Sequence, residues 1–183
     1  MDNEAKTKLK TYADTYATMK MSGKDQKIIE NSFEESKKVK LYLKRSRDDY
    51  LLARAVRKLI DNPELMIQLE LPADYLNIYH WLIIISYYSM YHAATAAIAK
   101  RKIKCKSHEA TIASLAKHYA TSEELEFIFI KTLHATYIDY IESGREQRRG
   151  AQYNVDKEYT SDDAFEVLAN AGKFIKRIQQ ILE

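Results

Sequence analysis

The chain has 183 residues, 46% of them apolar and 30% charged, with a net charge of +3. That is enough apolar material for one domain with a buried core, and too small a charge excess to declare a nucleic-acid partner by itself. Two prolines and four glycines leave too few turn formers for an all-β sandwich, 14 Tyr, 5 Phe and 1 Trp are too many aromatics for a disordered chain, and the single cysteine excludes a disulfide framework and a Cys-based zinc site.

The lone cysteine fits a reducing, cytoplasmic compartment, and the first ten residues lack the apolar run of a secretory leader. In chain order, Glu4 to about Lys20 reads as a polar, weakly amphipathic helix closed by Ser22-Gly23. A second helical stretch is expected from about Asp25 to Asp61, with an apolar stripe through Val39, Leu43, Tyr50, Leu51, Ala53, Val56, Leu59 and Ile60, and Asn62-Pro63 ends it. Leu71-Pro72 leads into an uncharged helix, about Asp74 to Arg101. Its length would suit a membrane span, but Asn77, His80, Ser86, Ser89, His92, Thr95 and five tyrosines are spread along it. A central bundle helix explains that distribution, so no membrane is expected.

A basic linker follows, Lys100 to Lys106, with five cations in seven positions. Ser107 is read as the N-cap of a helix from His108 to Tyr119. Thr121-Ser122-Glu123-Glu124 spells a capping box, which predicts a long helix through Leu125, Phe127, Ile128, Leu133, Tyr137, Ile138 and Ile141 that frays near Ser143-Gly144 or continues to Gly150. A polar loop is expected from Ala151 to Thr160. Thr160 or Ser161 then caps a last helix whose apolar positions run from Phe165 to Ile181. Long helices and short loops give an all-α, antiparallel up-and-down bundle of about five core helices, with residues 1–35 as a helical extension and 36–183 as the bundle.

The five histidines contain no His-Glu-x-x-His pattern, and no pair of Glu-x-x-His units occurs. No metal or other cofactor is therefore implied. Four scattered glycines cannot form a phosphate-cradling loop. Cys105 stands among lysines, which would lower its pKa if it were exposed, but no catalytic partner is identifiable. Three places are more informative. Ser86 to Ala94 puts Tyr88 and His92 on one helical face and Tyr87 and Tyr91 on another. Lys106-Ser107-His108 opens a helix, and Arg148-Arg149-Gly150-Ala151-Gln152-Tyr153 closes one.

In this order and at these spacings the three resemble the HEPN domain (higher eukaryotes and prokaryotes nucleotide-binding). The likeness is to the branch with a Tyr-Tyr-x-Met-Phe-His-Ala-Ala signature, here Tyr87 to Ala94, then Lys-x-His, then Arg-x-x-Ala-Asp-Tyr, and it covers about Ser36 to Glu183. The resemblance implies a cytoplasmic homodimer that binds a nucleotide or RNA and is often paired with a minimal nucleotidyltransferase. It implies His108, Arg148 and Arg149 as phosphate contacts, with Tyr153, Tyr88 and His92 lining the cleft. Catalytic members carry Arg, four to six residues, then His, for metal-independent RNA cleavage. Here Tyr153 stands where that His belongs, and no His occurs from Arg145 onward. A non-catalytic binder is therefore expected. The alternatives are an endoribonuclease toxin of a toxin-antitoxin pair, using the literal match Arg101–His108 or Tyr153 in place of the histidine, and a tyrosine-rich interaction scaffold. With nine arginines and five histidines, chance supplies roughly 0.7 such matches.

Overall fold

The computed structural model describes residues 2–21, 26–72, 77–121, 132–154 and 156–183. Among them are eight helices and four two-residue strands, so the all-α bundle is the observed architecture. The order is α1 (Asp2–Lys20), β1 (Ile28–Ile29), α2 (Phe33–Ser36), α3 (Val39–Ile60), α4 (Pro63–Gln68), α5 (Asn77–Lys100), β2 (Lys104–Cys105), α6 (His108–Tyr119), β3 (Ala120–Thr121), β4 (Leu133–His134), α7 (Ala135–Tyr153) and α8 (Ser161–Leu182).

Helix α5 is the axis. It packs most extensively on α3 and α8, and also on α7 and α6. Its Ile78–Lys100 stretch is apolar and long enough to cross a membrane, yet 72% of its most apolar 18-residue window is buried inside the protein. Being apolar on all sides is what a helix surrounded by helices requires. Helix α8 shows the other limit, a single buried stripe through Val167, Ala171, Phe174, Ile178 and Ile181. Thr160 caps it with a complete capping box: its hydroxyl accepts from the Asp163 N–H, while the Asp163 carboxylate accepts from the Thr160 N–H. Phe174 is fully buried. Phe174→Ala is expected to cost about 3–5 kcal/mol of stability, read as a lower urea midpoint at unchanged slope.

Two sequence expectations are corrected. The stretch 25–61 is not one helix. Ile28 and Ile29 pair antiparallel with Cys105 and Lys104, and Asn31 adopts a left-handed φ of 58°. The chain therefore turns before α2, and helix resumes at Val39. The capping box at 121–124 does not open a helix continuous to Ile141 either. Ala120 and Thr121 are extended and pair parallel with Leu133 and His134. Residues 122–131 lie outside the described residues, and α7 begins at Ala135, where His134 Nδ1 accepts from the Thr136 N–H. In both places a residue-by-residue helix preference yields to pairing with a distant segment. Leu125, Phe127 and Ile128 lie outside the described residues. Helix α7 passes through Gly144 and Gly150 to Tyr153, so the predicted loop at Ala151 starts later.

The N-terminal segment packs on the bundle. Helix α1 lies against α6, and Lys8 bridges Asp139 and Glu142 of α7. Tyr12 donates to Glu142. Tyr16 donates to Glu30, which also pairs with Lys20.

Candidate functional site

The Tyr-rich signature lies in the middle of α5. Tyr87, Tyr88, Tyr91 and His92 are spaced so that they crowd one side of the helix. The Ser107 hydroxyl accepts from the Ala110 N–H and fixes the start of α6, which turns its first residue, His108, onto that side. His108 Nδ1 lies 2.6 Å from Tyr87 Oη. Its ring stacks on Tyr91 at a centroid distance of 4.2 Å and meets the Tyr88 ring edge-on at 5.9 Å. Helix α7 crosses α5 at Gly144, where an added Cβ would stand 2.7 Å from Met90 Cε and 3.4 Å from Tyr87 Cδ2. A bare backbone lets α7 come this close. One turn later Arg148 is delivered to the same aromatic group, with Cζ 5.5 Å from the Tyr87 ring centroid, 5.8 Å from Tyr88 and 5.9 Å from Tyr153. These lie within reach of cation–π attraction.

Arg148 is only 7% exposed. Its Nη1 donates to Gln152 Oε1 at 2.7 Å, and its buried Nε has no hydrogen-bond partner. Among the described residues no carboxylate pairs with it. A buried guanidinium is ordinarily balanced by an anion, because desolvating an unpaired charge is costly. Arg148 therefore presents an unspent positive charge. Burial, then the Arg148 and Arg145 charges and His92, push the His108 pKa down to about 4, so this imidazole is neutral at pH 7. Burial raises the Tyr87 pKa, so its phenol keeps its proton, and His108 Nδ1 is the acceptor beside it. Tyr87 then donates to Nδ1, and Nε2 carries the imidazole proton, an assignment made from this network.

The structure brings His108, Arg148 and Tyr88 together, with Tyr153 at the rim and 70% exposed. His92 joins their edge, 6.2 Å from the Tyr88 ring, and its Nδ1 lies 2.7 Å from Asp49 Oδ2 of α3. Arg149 is not brought in. It is exposed and paired with Glu146 at 3.4 Å, because adjacent helical residues point about 100° apart. Arg101 is not brought to His108 either. Its guanidinium lies over Tyr119, 5.0 Å from the ring centroid, at the far end of α6 and about 16 Å along that helix from His108. The arginine beside His108 is Arg148.

The basic linker also disperses, with Lys102 over the Phe33 ring at 4.2 Å and Lys104 in β2. Cys105 is partly buried, and burial pushes its thiol pKa up rather than down. Sequence reasoning missed Arg145, Tyr91, Gln152 and Asp49 as parts of the site. Arg145, three residues before Arg148 on one helix, was available from spacing. Asp49, 43 residues from its partner His92, carried no local signal.

A family model described as the HEPN domain matches residues 73–181. The match holds α5 to α8 and every residue of the cluster except Asp49. No curated protein and no solved structure matches the chain.

Proposed function

Since the chain belongs to the HEPN domain family, whose members have nucleotide- or RNA-related functions, we propose that it binds the phosphate of a nucleotide or RNA strand at the His108–Arg148 cluster and does not cleave it. The observation that carries this reading is Arg148: buried, uncompensated by any described carboxylate, with a free Nε and ringed by Tyr87, Tyr88 and Tyr153. A phosphate supplies the missing negative charge, and the guanidinium fork suits its geometry. The N-terminus of α6 at His108 adds unsatisfied N–H groups and the positive end of a helix dipole. The tyrosines offer faces on which a base can stack.

The non-catalytic part rests on His108. It stands beside Arg148 as a cleavage pair would, which is the one feature favouring an endoribonuclease. However, its Nδ1 lone pair is taken by the Tyr87 hydroxyl and its Nε2 carries the proton, so the neutral ring has no free lone pair to receive the 2′-hydroxyl proton. The family likeness also supports a homodimer with a nucleotidyltransferase-type partner.

The test is a titration of fluorescent oligouridylate with the purified protein at increasing salt. Affinity is expected to fall steadily as salt rises, since phosphate contacts release counterions. The labelled strand is expected to remain intact without metal. Binding that ignores salt would rule out phosphate recognition. Metal-free cleavage that disappears in His108→Ala would make the protein an enzyme.

A further inference from the structure

A cavity of about 250 Å³ lies between α3, α5 and β2, and Tyr91 and His92 in its wall also belong to the cluster just described. Tyr42 and Tyr91 both line it, together with Lys38, Arg45 and Lys104. Its cationic rim is held in place. Buried Glu35 accepts from Tyr42 Oη and pairs with Lys38 at 3.3 Å. Lys104 is fixed by the ladder in which β2 pairs with β1. Among the described residues, neither Arg45 nor Lys104 has a carboxylate partner, so the rim keeps a net positive charge.

We propose that this cavity is a second nucleotide subsite, and that the ligand is a single strand laid across Tyr91 rather than a lone nucleotide. This rests on the phosphate-binding reading above and extends it. Pockets that enclose a whole drug-sized ligand measure about 300–1,000 Å³. A cavity of 250 Å³ is too small for one, yet it adjoins a second site through a shared ring, so it suits one repeating unit of a longer ligand. The chemistry also repeats. Arg148 stands beside Tyr88 and Tyr153, while Arg45 and Lys104 line the cavity with Tyr42 and Tyr91. Cation and aromatic face, twice over, matches phosphate and base, twice over, and this combination binds single strands without reading their sequence. A nucleoside triphosphate offers several phosphates but only one base, so it cannot occupy both aromatic faces.

The experiment is calorimetric titration of the full chain with UMP, UTP and the dinucleotide pUpU. The dinucleotide is expected to bind at least about tenfold tighter than either mononucleotide, the gain from stacking one further base. In the Arg45→Ala/Lys104→Ala double variant that advantage is expected to shrink to less than about threefold. Both side chains are exposed, so their truncation leaves the core intact. Equal affinity for UMP, UTP and pUpU, or an advantage that survives the double variant, overturns the second subsite while Arg148-dependent binding of UMP still stands. Binding of none of the three, or binding indifferent to Arg148→Met, overturns the first site and the second together.

Discussion

Replacing Arg148 with methionine is expected to weaken oligouridylate binding at least about thirtyfold while leaving the thermal midpoint unchanged or raised. Truncating one partner of a buried charge pair costs about 2–5 kcal/mol of affinity, and the lower figure is already a factor of about thirty. The folded protein alone should respond in the opposite sense. Arg148 is buried with no described carboxylate beside it and with Nε unpartnered, so the apo fold carries its desolvation cost without recovering it. Methionine keeps an unbranched apolar stem against Tyr87 and Tyr88 and removes that charge, a change often neutral or stabilising in a core. Binding energy and folding energy thus move apart at a single residue, as expected of a group kept for a ligand. Arg148→Lys keeps the charge but not the planar fork, and should fall between the two. Arg149→Met, on the solvent side of α7 and paired with Glu146, should change affinity less than about twofold. A midpoint lowered by several degrees with binding intact would make Arg148 a clamp between α7 and α5 and nothing more.

Fold and site were legible in the sequence to different depths, for a physical reason. Helical spacing, caps and the lack of turn formers report on local energetics, so Ser107, Thr160 and the buried stripe of α8 could be read directly. The departures from helix at Ile28-Ile29 and at Ala120-Thr121 share a cause. Ile28-Ile29 and Ala120-Thr121 are extended because they pair with Lys104-Cys105 and Leu133-His134, and local preference carries no information about a partner strand. The site divides in the same way. Tyr88, His92, His108 and Arg148 were named from ordered motifs, and packing brings them together. Arg149 was named with Arg148 because they are adjacent in the sequence, but adjacency on a helix separates side chains. Arg101 matched a spacing that spans a linker, and the length of α6 carries it away from His108. Gly144 gave no signal of its own, yet the close crossing it allows is what places Arg148 over the tyrosines.

Affinity for oligouridylate should rise by about twentyfold as the pH falls from 7 to 5, and this gain should vanish in His108→Gln. In the free protein burial and the nearby arginines hold the His108 pKa near 4, so the ring is neutral across this range. A bound phosphodiester brings a negative charge that offsets Arg148 and Arg145. If that returns His108 to the ordinary value of about 6.5, binding takes up a proton over the interval between the two values, and the linkage amounts to about twentyfold between pH 7 and 5. The ligand contributes nothing to the slope, since a phosphodiester stays singly charged and uracil does not titrate in this range. The direction is diagnostic. A histidine already protonated at pH 6 would leave affinity flat below that point, whereas a depressed one makes it climb. His92 faces the same cluster and is held by Asp49, so His92→Gln separates the two rings and should retain the pH dependence. Stability of the free protein moves the other way. As the pH drops from about 6.5 toward 4, the unfolded chain takes up the His108 proton before the folded one does, and the fold weakens over that window. Wild-type affinity that stays constant between pH 7 and 5, or a slope that survives in His108→Gln, would remove His108 from the phosphate site and leave Arg148 alone there.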